Sequence, residues 1–144
     1  MQIADVLRTK GRHVTTVQQT DLVSVAVRVL AEKHIGAVVV EDRLQKLVGI
    51  FSERDLVNAL ARQGASVLGF EVRDLMSAPV ITCTATDRID AVLARMTMNR
   101  IRHLPVLEDG RLAGIVSIGD LVHHRLDEKE LEAGVLLDLS RMRG

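Results

Sequence analysis

The chain has almost no aromatic residues: among its 144 positions there is no Trp and no Tyr, and Phe51 and Phe70 are the two phenylalanines. That removes the stacking platforms on which single-stranded nucleic acids are held, so any base bound here must lie between aliphatic side chains. Cysteine is nearly absent too. Cys83 alone cannot form an internal disulfide, and with no signal-like N-terminus the expected compartment is the reducing cytosol. The thiol itself is expected to be a buried strand residue rather than a reactive one. Net charge is missing: 19 Lys and Arg balance 19 Asp and Glu, which argues against nucleic acid as the target and favours self-association near neutral pH. No apolar run approaches the roughly 20 residues that span a bilayer, so the chain reads as soluble, with no membrane partner. No nucleophile elbow, phosphate-loop motif or Cys-x-x-Cys pair occurs. His123 and His124 are neighbours on a predicted helix, where side chains point about 100° apart and do not readily share an ion. Neither catalysis nor a metal is expected.

What the chain does have is a stretch written twice. Gly114-Ile115-Val116-Ser117-Ile118-Gly119-Asp120 repeats Gly49-Ile50-Phe51-Ser52-Glu53-Arg54-Asp55, and both copies end in Ser-x-x-Asp followed by Leu. Thr20-Asp21 recurs as Thr86-Asp87, Ile35 as Ile101 and Val40 as Val106, with one residue lost in the turn that follows. A repeat this long differs from solenoid units of about 20–50 residues, which need at least three copies. Two copies suggest two similar lobes related by a pseudo-twofold axis, with two equivalent clefts. At 47% hydrophobic residues the chain can bury a real core, about 70% of its unfolded surface for this length. The expected division is residues 1–65, residues 66–126 and a C-terminal helical extension over 127–144.

Within each copy the pattern predicts short helix, strand, helix, strand, strand, helix. Ile3, Val6 and Leu7 have helical spacing, and the helix ends at Gly11. Its counterpart is Val72 to Met76. Strands are expected at Val14–Val17 and Val80–Cys83. A helix then follows Thr20-Asp21, with one of the two as N-cap and with Leu22, Val25, Ala26, Val29 and Leu30 on its buried face; the second copy offers Ile89, Val92, Leu93 and Met96. Strand pairs are predicted from Ala37 to Phe51 and from His103 to Val116, the second turning at Glu108-Asp109-Gly110-Arg111. Pro105 has no ladder donor and is expected at an edge or bulge, where backbone groups stay free for a guest. The last helix is expected to run toward Met142 along Leu121, Val122, Leu126, Leu131, Leu136, Leu137 and Leu139, with a possible break at Asp127–Glu130 and a partner packed on it. Gln63 to Ser66 with Gly69 reads as a linker.

Ile101-Arg102-His103-Leu104-Pro105-Val106 followed by Gly114 to Leu121 resembles the signature of the CBS domain, the module named after cystathionine β-synthase. Ile35 to Val40 with Gly49 to Leu56 looks like the first member of such a pair. The resemblance covers nearly the whole chain, from Ile3 to about Leu121. It implies an α+β fold of two β-α-β-β-α repeats, sheets packed face to face with helices outside, that regulates other proteins as a tandem pair called a Bateman module. It also implies adenine-containing ligands, AMP, ADP, ATP or NAD, a flat homodimer, and a regulated protein acting in trans.

The Ser-x-x-Asp stretches have two readings. A Ser followed three residues later by an acid is close to a capping box, in which both side chains satisfy helix amides. Alternatively, helix-start amides suit phosphate and an acid can accept both hydroxyls of a ribose. On the second reading Asp55 and Asp120 take ribose, and Ser52, Ser117, Ile118 and Gly119 take ribose or phosphate. Arg54, Arg102 and His103 supply cations, the Arg102-His103 pair being one that the family motif places there; the first copy carries Gly36-Ala37 instead. Thr16, Thr82 and Pro105 lie on the strand motifs that would read the adenine edge or the sugar. Lys10-Gly11-Arg12-His13 offers another phosphate contact, but a solvated loop is the favoured reading. The other function class is an interaction module with vestigial clefts.

Overall fold

A computed structural model describes the backbone of residues 1–143 and the side chains of residues 1–134. Its elements are α1 (Ile3–Lys10), β1 (Thr16–Gln18), α2 (Val23–Lys33), β2 (Ala37–Glu41), β3 (Leu47–Ser52), α3 (Glu53–Gln63), a 3₁₀ helix (Gly64–Gly69), α4 (Val72–Leu75), β4 (Cys83–Thr84), α5 (Ile89–Asn99), β5 (His103–Glu108), β6 (Arg111–Ser117) and α6 (Ile118–Arg143). The chain divides into two compact units, the first holding residues 1–12 with residues 83 onward, the second residues 13–82.

The second unit is built on the sheet β1-β2-β3, with β1 parallel and β3 antiparallel to β2. Its core joins Val17, Val23, Ala26, Leu30, Val38, Val40, Phe51 and Val72. Val72 comes from α4, the short helix that leads the second sequence copy. The first unit repeats the plan with β4-β5-β6, and here the covering helix is α1, whose Ile3, Val6 and Leu7 are buried. The leading helix of each copy thus packs into the unit that contains the other copy's sheet. The socket is the same in both. Gly114 on β6 leaves room for Leu7, whose Cδ2 would lie 2.8 Å from an added Cβ, and Gly49 on β3 leaves room for Met76.

Several expectations need correction. The first strand of each copy starts later than predicted, at Thr16 and at Cys83. Pro105 lies in the central strand of its sheet, not at an edge, and the strand's register shift falls just after it, between Val106 and Leu107. In the second unit the backbone groups of Ile50 turn outward to Ser77, while Val39 opposite it donates its N–H to the Thr15 carbonyl at 3.2 Å. Pro105 stands at Val39's place, opposite Ile115. With no N–H to give, it leaves β4 without that first rung, so β4 is only two residues long. Neither Thr20 nor Asp21 caps α2. Its N-cap is Leu22, and the first helical amide, of Val23, is satisfied by the Phe70 carbonyl at 2.8 Å. Asp21 instead accepts the Gln18 N–H, as Asp87 accepts that of Thr84, both at 2.9 Å. The buried stripe of α2 is Val23, Ala26 and Leu30, and Leu22 and Val25 are 46% and 41% exposed.

The β5–β6 connection is a two-residue turn at Asp109 and Gly110, with φ of 51° and 75°, the paired positive values that match strand twist. The segment expected as a linker is a 3₁₀ helix that buries Val67. The helix α6 runs unbroken through Asp127–Glu130. Leu136, Leu137 and Leu139, expected on its apolar face, have side chains outside the described residues. No helix among the described residues is long and apolar enough to cross a membrane.

Candidate functional site

In each unit a strand ends on the serine of Ser-x-x-Asp and a helix starts on the next residue. In the second unit the Ser52 hydroxyl accepts the Asp55 N–H at 3.2 Å, and the Asp55 carboxylate accepts the Ser52 N–H at 2.9 Å. In the first, Ser117 and Asp120 do the same at 3.0 and 2.9 Å. Both stretches are therefore capping boxes, each stabilising its helix start by about 1 kcal/mol. A carboxylate has about four lone-pair directions, so a box leaves acceptor capacity for a sugar hydroxyl.

The second partner of each carboxylate differs between the units. Asp55 Oδ1 accepts the Ser77 hydroxyl at 3.0 Å. Asp120 Oδ2 instead accepts from Lys10 Nζ at 2.5 Å, and the same nitrogen donates to the Ile115 carbonyl at 2.7 Å. Burial pushes the Asp120 carboxyl up, but Lys10 and the Ser117 amide outweigh it and hold it below its ordinary 3.8. Lys10 and Arg12 are not a solvated loop. Arg12 pairs bidentately with Glu108 at 2.8 and 3.2 Å, raising the guanidinium and lowering the carboxyl. An open groove of about 650 Å³ lies beside that pair, lined by Arg12, Glu108, Asp109, Arg111, Leu112 and Ala113, at the turn end of β6 and not at its Ser117 end.

The other expected site residues fall as follows. His103 opens β5 directly opposite Ser117, and the Arg102 carbonyl accepts the Ile118 N–H at 2.8 Å; the Arg102 side chain is exposed. Gly119 follows in the first turn of α6, so Arg102, His103, Ser117, Ile118, Gly119 and Asp120 gather at one end of one sheet. At the matching end of the second unit Ala37 lies opposite Ser52, the Gly36 carbonyl accepts the Glu53 N–H at 3.0 Å, and Arg54 is exposed on the first turn of α3. Thr16 is exposed at the start of β1, opposite Val39. β2 separates it from β3, which puts it roughly 10 Å from that strand. Thr82 is half-buried just ahead of β4. The Pro105 ring is buried, and its carbonyl takes a weak bond from Cys83 Sγ at 3.8 Å. Burial pushes the Cys83 thiol up to about 12, so it stays protonated at neutral pH.

Lys10 was named from the sequence as a phosphate contact but ranked below a solvated loop, and its pairing with Asp120 was not foreseen. The repeat gave no help, because the position 66 residues on is Met76. The available signal was a helix-ending lysine before Gly11, at the tip of a segment long enough to reach a carboxylate.

Acid should loosen the first unit. Asp5, held down first by the Gln2 amide, Asp87, held down first by the Thr84 amide and then by Arg95, and Asp120 all sit below 3.8 in the folded chain, and all three belong to this unit. A lowered folded value means stability that is fully present above the unfolded value and lost as pH falls through the folded one. Amide exchange compared at pH 7 and pH 3 should therefore show α1, α5 and the start of α6 opening with acid; protection there that is independent of pH would refute the assignment.

The sequence profile of the CBS domain matches residues 3–62 and 72–127. A CBS-domain-containing protein of Agrobacterium tumefaciens is 45% identical, with a TM-score of 0.84 over 86% of this chain and 92% of that one. The mitochondrial CBS domain-containing protein CBSX3 of Arabidopsis thaliana is 35% identical, across 91% of this chain and 70% of its own length. A CBS domain protein of Pyrobaculum aerophilum, solved in complex with AMP, is 26% identical with a TM-score of 0.77, over 92% of this chain and 99% of that one. Two matched copies, two three-stranded sheets flanked by helices, and paired Ser-x-x-Asp helix starts lead to one conclusion: the chain belongs to the CBS-domain family and carries two copies of that domain.

Proposed function

We propose that the chain is a non-catalytic regulatory module that binds an adenine nucleotide (AMP, ADP, ATP or NAD) at its Ser-x-x-Asp helix starts and reports energy or cofactor status, as a cytosolic homodimer, to a protein acting in trans. The observation that carries this reading is the gathering of Arg102, His103, Ser117, Ile118, Gly119 and Asp120 at one end of the first unit's sheet. The cations there and the positive end of the α6 dipole suit a phosphate, and a part-exposed carboxylate beside them suits a ribose. The AMP complex of the Pyrobaculum aerophilum relative supports the ligand class.

Thermal denaturation with each nucleotide tests it. A ligand present at a hundred times its Kd should stabilise the chain by about 2.7 kcal/mol, and Asp120→Asn should remove most of that gain for the ligand that works. No stabilisation by any of the four at millimolar concentration would sink the reading. The competing reading is an interaction module, favoured by Leu126 and Leu131, which are 58% and 71% exposed on α6. Removing the chain after Asp127 separates the two, since nucleotide affinity should persist while partner binding is lost.

A further inference from the structure

Resting on the nucleotide reading above, we propose that Lys10 is the residue that selects ligand charge in the first unit, giving its Ser-x-x-Asp site a preference for a phosphorylated nucleoside over the bare nucleoside. The same two acceptors meet different donors in the two units. In the second unit Ser77 serves both: its N–H donates to the Ile50 carbonyl at 2.8 Å, its hydroxyl to Asp55 Oδ1 at 3.0 Å, and its own carbonyl accepts the Ile50 N–H at 3.1 Å. That is a two-way backbone bridge, fixed in place and neutral. In the first unit the matching acceptors are the Ile115 carbonyl and Asp120, and a single atom, Lys10 Nζ, serves both at 2.7 and 2.5 Å. A flexible cation has taken the place of a fixed neutral donor.

The substitution changes what the site tolerates. An aspartate that accepts ribose hydroxyls lies within one sugar of the phosphate, and its charge repels that phosphate unless a cation stands beside it. Asp120 has one and Asp55 has a hydroxyl. An ammonium carries three N–H donors, and two of those of Lys10 are used. The third has no partner among the described residues, and the four-carbon stem lets the head pivot toward an anion without breaking the backbone around it. The pair is about one-third exposed on each side, at 33% and 28%, so the head is within reach of a ligand arriving from solvent.

The test is calorimetric titration of the full chain with AMP and with adenosine, for the wild type, Lys10→Met and Lys10→Arg. The expected result is that the wild type prefers AMP, that Lys10→Met narrows the AMP-to-adenosine affinity ratio about tenfold or more, the loss of one charge-assisted hydrogen bond, and that Lys10→Arg retains most of the ratio. Added salt should weaken AMP binding more in the wild type than in Lys10→Met. An unchanged ratio in Lys10→Met overturns the role of Lys10 and leaves the nucleotide reading standing, as does equal wild-type affinity for the two ligands. Binding of neither ligand by the wild type overturns both. Should Lys10→Met fail to fold, the same ratio read on Lys10→Gln decides.

Discussion

Replacing Phe51 with alanine is expected to destabilise the second unit by about 3–5 kcal/mol, the usual cost of emptying an aromatic site in a packed core. Phe51 is fully buried on β3 and is the largest fully buried side chain among the described residues. It packs in one cluster with Val17, Val23, Ala26, Leu30, Val38, Val40 and Val72, residues from the opposite edge strand, the central strand and two helices. None of these is long enough to follow into the void, so the site should collapse poorly. Small domains hold only about 5–15 kcal/mol in all, so the variant should unfold at a much lower urea concentration, with amide protection lost first in β1, β2 and β3. Phe51→Leu, which keeps most of the volume, should lose well under half as much. A loss below about 1 kcal/mol for the alanine variant would mean that this cluster is not the closed core described.

The second large effect is expected from valine at position 49. A Cβ there would lie 2.4 Å from Met76 Sδ, 2.9 Å from its Cγ and 3.2 Å from the Ser77 carbonyl oxygen. The thioether can swing aside, but the carbonyl is backbone and is itself held by the Ile50 N–H. Valine adds two further methyl groups to that conflict. Overpacking of this kind costs about 1–3 kcal/mol, and here it should also lift residues 76 and 77 off β3, so that Asp55 loses the Ser77 hydroxyl while keeping its bond to the Ser52 amide. Thermal denaturation measures the first effect. Exchange of the Ile50 amide, slow in the wild type and fast in Gly49→Val, measures the second, and an unchanged rate there would show that the strand edge tolerates the methyls.

Much of this was legible from the chain alone because two copies constrain each other. Helices α2 and α5, the two strand pairs and the helix starts at Ser52 and Ser117 follow from periodicity read twice, and the turn at Asp109-Gly110 from the one residue type that accepts positive φ freely. The capping-box reading of Ser-x-x-Asp was also available, and both boxes form. What periodicity could not supply was where the first turn of α2 begins. The start lies at Val23, with a backbone carbonyl in place of a side-chain cap, and the face that α2 buries is narrower than the apolar stripe, leaving Leu22 and Val25 at its exposed margin. Nor could alignment of the copies find Lys10, since a role filled by a serine in one unit and a lysine in the other leaves no shared residue to notice. The destination of α1 and α4 was hidden for a different reason. Both face a glycine on an antiparallel strand, and nothing in the local residues distinguishes the socket at Gly49 from the one at Gly114.

That interchange of leading helices bears on how the gene can be cut. One body is a single uninterrupted stretch, residues 13–82, whereas the other joins residues 1–12 to residues 83 onward and cannot close until both have been made. A ribosome therefore releases α1 long before the groove that receives it exists, and deleting residues 1–12 would strip cover from the later-made sheet β4-β5-β6.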